Sequence, residues 1–99
     1  MSVRLVITMQ AKPGKGADLL KAMEERCREV RKEPGCEQFE VFQSGHDPDK
    51  LVLLELWASQ EALDVHAKLN ASRPADPRMA ELRADGAVPR EDYEYNRTR

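Results

Sequence analysis

The chain predicts an α+β fold: a four-stranded antiparallel sheet with helices packed on one face, in the order βαββαβ. Segments 2–11, 36–44, 50–58 and 92–98 alternate, or run apolar, with the two-residue period of a strand. Segments 17–32 and 60–71 carry apolar residues at three- and four-residue spacing, as a helix buried on one side requires. Proline and glycine fall between most of these segments. The 99 residues make one domain, 1–99, able to bury roughly 60–70% of its unfolded surface.

The first strand puts Val3, Leu5, Ile7 and Met9 on one face and Arg4, Val6, Thr8 and Gln10 on the other. Pro13-Gly14-Lys15-Gly16 ends it. This is no phosphate loop, since the glycine spacing and the Lys-Ser/Thr ending are absent. The helix over 17–32 buries Leu19, Leu20, Met23, Cys27 and Val30, with Asp18 near its start and Arg31 and Lys32 near its end, as the dipole prefers. Pro34 disfavours helical geometry at Glu33 and stops it.

In the second strand, Phe39, Val41 and Gln43 oppose Glu40, Phe42 and Ser44. Gly45-His46-Asp47-Pro48-Asp49 is a turn. The third strand is apolar on both faces, through Leu51, Val52, Leu53, Leu54, Leu56 and Trp57. Such a strand is covered on both sides. Helices take one side, and the same face of a second subunit is the simplest cover for the other. Ser59 is a good N-cap for the helix over 60–71, whose stripe is Ala62, Leu63, His66 and Leu69. Pro74 ends it, and Asp76-Pro77 opens a short helix over 77–84 with Met79 and Leu82 inward. Residues 92–98 alternate as the last strand.

Composition excludes several classes. Lys and Arg total 16 against 18 Asp and Glu, a net charge of -2, unlike a nucleic-acid binder. The arginines gathered at 73, 78, 83, 90, 97 and 99 are interleaved with acids and read as a solvated surface. The apolar N-terminal run is too short for a membrane span and lacks the parts of a signal peptide, so a cytoplasmic protein with no membrane partner is expected. Cys27 and Cys36 are then free thiols, with no zinc spacing. A redox pair is the alternative for them. No metal or cofactor motif is present, and none is expected to be bound.

His66 is the candidate catalytic residue. An inward imidazole either donates to a backbone carbonyl or handles a proton in a pocket. Trp57, Phe39, Phe42 and Met79 are the candidate substrate contacts, each with core or interface packing as its alternative. Tyr93 and Tyr95 share that ambiguity. Glu55, on an apolar strand, reads as a structural carboxylate paired with an arginine, or as a holder of His66. His46, in a polar turn, is expected to be exposed.

Ala11-Lys12-Pro13-Gly14-Lys15, Glu33-Pro34-Gly35-Cys36, Glu40-Val41-Phe42, Asp47-Pro48, Glu55-Leu56-Trp57 and Glu61-Ala62-Leu63-Asp64-Val65-His66 resemble, in this order, the antibiotic biosynthesis monooxygenase (ABM) type of protein. The resemblance is good over 3–69 and loose beyond. It implies a ferredoxin-like fold, a homodimer whose sheets pack face to face as a dimeric α+β barrel, and a small pocket between sheet and helices. Some members oxidise quinols or polycyclic phenols with dioxygen and without metal or flavin; others isomerise small sugar-derived compounds, and some relatives degrade haem. His66 corresponds to the family's helix histidine. The first strand lacks the asparagine of the haem-degrading relatives, and Trp57 lies on a strand, so haem degradation is disfavoured. Residues 72–77 interrupt a helical stretch and are expected to reshape the pocket mouth. The expectation is a cofactor-independent monooxygenase using dioxygen on a small hydrophobic phenol, quinol or enol. The alternatives are an isomerase or tautomerase of the same fold, or a non-catalytic dimeric ligand-binding module.

Overall fold

The computed structural model describes residues 1–86 and 88–98; Arg99, counted above with the late arginines, lies outside them. The elements are β1 (Ser2–Gln10), α1 (Gly16–Val30), β2 (Cys36–Gln43), β3 (Lys50–Trp57), α2 (Gln60–Ser72), α3 (Pro77–Leu82) and β4 (Arg90–Tyr95). The strands form one antiparallel sheet in the order β2-β3-β1-β4. β3 thus lies between β1 and β2, and β1 between β3 and β4, the split βαβ arrangement of the expected ferredoxin-like fold.

Register explains which residues meet. Leu5 pairs with Glu55 and Asp92, and Phe39 pairs with Glu55, so all four side chains share the helix-covered face. Val3, Met9, Leu51, Leu53 and Trp57 are buried on that face under Leu19, Met23, Cys27 and Val30 of α1 and Leu63 of α2. The opposite face carries Arg4, Val6, Val52, Leu54 and Leu56, all half-buried, with Phe42 at 44% exposure. β3 is therefore apolar on both sides, as read from the sequence, and its second side is open in the single chain.

Element ends differ from expectation by up to three residues. β4 stops short of 98 because its partner begins at Ser2, which pairs with Tyr95, and it starts before 92 because the ladder runs on to Ile7 opposite Arg90. α3 stops at Leu82 because Arg83 turns extended and bridges Ala11. α1 closes at Val30, where Lys32 and Glu33 donate to the carbonyls of Glu29 and Val30 and tighten the last turn. Leu69, placed inward by the helical stripe, is 42% exposed. Past His66, α2 has no buried side chain among the described residues, so its second half stands off the sheet.

The caps on α2 and α3 follow local chemistry. Ser59 Oγ accepts from the Ala62 amide at 3.1 Å, and Asp76 Oδ1 accepts from the Arg78 amide at 3.0 Å. α1 is capped from a distance: Asp49 in the β2–β3 turn accepts from the amides of Gly16 (2.9 Å) and Gly14 (3.0 Å). The turn sits so close that a Cβ on Gly16 would lie 1.8 Å from the Pro48 carbonyl oxygen. Cys27 and Cys36 are both free, and burial pushes each thiol up to about 11, so neither is poised for redox exchange. His46 is exposed, as expected. No described helix is long and apolar enough to cross a membrane.

Candidate active site

The turn after α1 builds the site. Gly35 has φ +80°, and a Cβ there would lie 2.5 Å from Ala62 Cβ. Its carbonyl accepts from the Ala58 amide at 2.8 Å. Only glycine allows both the left-handed backbone and this approach. The turn is thereby pressed onto the first turn of α2, and His66 lies one helical turn beyond Ala62. Glu33, two residues before Gly35, then reaches the ring: its Oε1 is 2.8 Å from His66 Nδ1. Both side chains are nearly sealed, at 9% and 10% exposure.

Aromatic rings fix the imidazole plane. Trp57 stacks on it with centroids 4.7 Å apart at 30°, and Phe39 lies 5.5 Å away. Trp57 is fully buried, and its indole N–H donates to Glu55 Oε1 at 2.8 Å. One tryptophan thus touches both His66 and Glu55.

His66 and Glu55 also line the same cavity, of about 770 Å³. That is within the range of small-molecule sites, about 300–1,000 Å³. Its floor is Ile7, Met9, Leu53 and Phe39 from the sheet, and α1 contributes Ala22 and Met23. The mouth is framed by Arg26, Asn70, Arg73 and Met79. The 72–77 segment does shape this mouth, since Arg73, Pro74, Ala75 and Asp76 all line it. Two ion pairs and a hydrogen bond brace the rim: Arg78 binds Glu25 and Asp76 at 2.8 Å each, and Arg26 donates to the Asn70 amide oxygen.

The second nitrogen of His66, Nε2, has no hydrogen-bond partner among the described residues. It is also not sealed: the one buried, unpartnered side-chain polar atom among them is Glu33 Oε2. Nε2 therefore keeps some accessible surface, on a residue that lines the cavity. Glu33 Oε2 has the Arg73 guanidinium 3.6 Å away, beyond hydrogen-bond reach but close enough to compensate charge.

Burial pushes the Glu55 carboxyl above its ordinary range; the Trp57 N–H, His66 and Arg90 pull it down in part, while Asp92 raises it further. A carboxyl raised in the folded state favours folding below the unfolded value, and that advantage is lost as pH rises through the folded value. Glu55→Gln, which keeps an acceptor for Trp57, should therefore gain in Tm relative to the parent as pH climbs from about 4 to about 8. Thermal melts across that range check this, and a pH-independent difference between the two would contradict it.

Of the expected site residues, His66, Phe39 and Met79 line the cavity. Trp57 does not: it is core, behind the imidazole, because its strand position points it under α2. Phe42 does not either: it is on the open face of the sheet, since β2 alternates and Phe39 has taken the helix side. Glu55 has no cation within ion-pair distance among the described residues and is held by an indole instead of the expected arginine. In the sequence Glu33 stands out only as the residue that Pro34 holds out of helical geometry and as the first of the Glu-Pro-Gly-Cys turn. Its signal was available: an acid at a helix C-terminus opposes the dipole and calls for another reason to be there. Among the described residues no three His, Cys, Asp or Glu side chains converge as metal ligands.

Residues 2–75 match the profile of a family described as antibiotic biosynthesis monooxygenase. Solved structures share the fold across nearly the whole chain. A Pseudomonas aeruginosa protein superposes with a TM-score of 0.76 at 24% identity, covering 97% of this chain and 95% of its own. A candidate antibiotic biosynthesis monooxygenase from Chloroflexus aurantiacus gives 0.70 at 26% identity, covering 100% and 97%. Another candidate, from Deinococcus radiodurans, gives 0.72 at 18% identity, covering 97% and 94%. No curated protein matches the chain by sequence.

Proposed function

This chain belongs to the antibiotic biosynthesis monooxygenase family, and from that premise we propose that it is a homodimeric, cofactor-independent monooxygenase acting on a small hydrophobic phenol, quinol or enol. The observation that carries this is His66: one ring nitrogen is engaged by a buried carboxylate, the other has no partner among the described residues, and the residue lines an apolar-floored cavity. A base so placed can take a phenolic or enolic proton. The remaining anion is electron-rich and gives an electron to dioxygen. Radical and superoxide combine at carbon as a peroxide anion, and the imidazolium returns its proton to it. Where the reacting carbon is a CH2 in the keto form, loss of water leaves a carbonyl, so both atoms of dioxygen end in product and water. The apolar floor of Ile7, Met9, Leu53 and Phe39 suits a flat hydrophobic ring.

Dioxygen uptake on mixing with a panel of quinols and polycyclic phenols tests the reading. Uptake matched to product supports it, and no uptake across the panel by folded protein counts against it. Glu55 favours a second reading. With its carboxyl drawn toward the neutral form and its side chain on the same cavity, a proton taken by His66 could be matched by one delivered from Glu55, as an isomerase or tautomerase requires. Product formed under strict anaerobiosis would select that reading. A non-catalytic binding module would bind the ligand and turn over nothing in either atmosphere.

The homodimer is proposed from the open sheet face. Val6, Val52, Leu54, Leu56 and Phe42 form an apolar strip there, with Arg4 at its side between Gln38 and Tyr95. A two-fold partner offers the same strip and covers it with itself. Leu54→Asp should convert the dimer to monomer in sedimentation, and a parent protein that is monomeric at high concentration would overturn the assembly. The free state of Cys27 and Cys36 accords with a reducing, cytoplasmic setting.

A further inference from the structure

We propose that Glu33 is the positioning residue of the site: it fixes His66 as the Nδ1–H tautomer, so that Nε2 presents a lone pair to the cavity. For its catalytic consequence this rests on His66 being the proton acceptor; the tautomer does not depend on that reading.

The geometry carries the assignment. Nδ1 and Glu33 Oε1 are 2.8 Å apart, a charge-assisted hydrogen-bond distance. A carboxylate only accepts, so the hydrogen between them belongs to Nδ1. In a neutral imidazole the other nitrogen is then the acceptor. An unconstrained imidazole prefers the opposite tautomer, with hydrogen on Nε2. Without Glu33 the cavity nitrogen would be mainly a donor, and only the minor tautomer could take a proton from a substrate. The carboxylate thus decides the direction in which the site moves a proton. It also stands ready to stabilise the imidazolium formed after proton transfer, as an orienting carboxylate does in acyl-transfer triads.

Other features point the same way. Glu33 is nine-tenths buried, with one oxygen on His66 and the other unpartnered beneath Arg73. It lies just past a helix C-terminus, where an acid is unfavourable. It is held there by a glycine turn in van der Waals contact with α2. Packing alone would be served by an apolar side chain in that slot. The ring meanwhile cannot easily rotate away, since Trp57 stacks on its face and Phe39 closes from another side.

The test reads the tautomer directly, with no substrate. Nitrogen chemical shifts of the His66 ring in labelled protein, taken above its titration, should show Nδ1 protonated and Nε2 bare. In Glu33→Ala the ring should move toward the Nε2–H form. In Glu33→Gln, whose amide oxygen can still accept from Nδ1, the parental tautomer should be kept. Parent protein with hydrogen on Nε2 overturns the proposal even if no variant folds. So does an unchanged Nδ1–H form in Glu33→Ala. Given a substrate, Glu33→Ala should lower kcat by roughly 10–100-fold with KM little changed, and Glu33→Gln should restore much of it. A loss falling on KM alone would overturn the positioning role. If the parent turns over no substrate, the oxygenase reading fails while the tautomer result still stands or falls by itself.

Discussion

His66→Ala is expected to lower substrate-dependent dioxygen uptake by roughly 10²–10⁴-fold, the usual contribution of a positioned general base. The variant should fold with reduced stability, because the buried Glu33 carboxylate loses its imidazole partner. The ring stacks on Trp57, but its far side borders the cavity, so truncation enlarges an existing space instead of opening a closed void. The two readings of His66 separate here. If it only fills space over Trp57 and pairs with Glu33, the variant keeps its turnover. If it handles the proton, turnover collapses while circular dichroism and sedimentation stay parental. Full uptake by a folded, dimeric His66→Ala protein would remove the histidine from the mechanism.

Trp57→Ala is expected to cost about 3–5 kcal/mol of folding stability. That is a large share of the roughly 5–15 kcal/mol that holds a small domain folded. Trp57 is completely buried where β3 meets α2, stacked on His66 and edge-on to Phe39. Its removal also strips Glu55 of its hydrogen-bond donor. Trp57→Phe separates the two effects. It keeps most of the ring but leaves a buried carboxyl oxygen unpaired, a penalty of about 1–3 kcal/mol. Adding Glu55→Gln to Trp57→Phe should change that penalty non-additively, because the two side chains are in direct contact. Urea unfolding of the four proteins gives the cycle. A Trp57→Ala loss under about 1 kcal/mol would contradict the burial described here.

Both predictions converge on one small assembly: a carboxylate, an imidazole, an indole and a second carboxyl. Glu33 touches His66, His66 lies on Trp57, and Trp57 bonds Glu55. Every link is a direct contact, and two of the four members, His66 and Glu55, line the cavity. That connection is why substitutions at Trp57, which does not line the cavity, should still disturb the chemistry.

Much of the architecture was legible in the residues. The two-residue alternation of β1, the four-residue stripe of α1, the serine and aspartate caps of α2 and α3 and the two-sided β3 are local patterns. Each places its element without reference to the rest of the chain. His66 and Met79 were legible as inward residues for the same reason. Leu69 shows the limit of that logic: its spacing is right for burial, but the second half of α2 stands off the sheet and leaves it in solvent. Phe42 shows another. Alternation says that Phe39 and Phe42 face opposite ways, and only the docked helices say which way is the cavity.

What the sequence determined by itself is the order of elements, their approximate extents and the identity of the one inward histidine. Those are encoded by periodicity and turn chemistry, which act over a few residues. What only the tertiary structure decided is the site. Glu33 and His66 are 33 positions apart, and Asp49 caps a helix 33 positions before it. Contacts at such separation depend on how two turns and a sheet register close in space, on a glycine that lets one turn approach, and on which oxygen and nitrogen then lie 2.8 Å apart. No local pattern carries that information, because the free energy that selects it belongs to the packed whole.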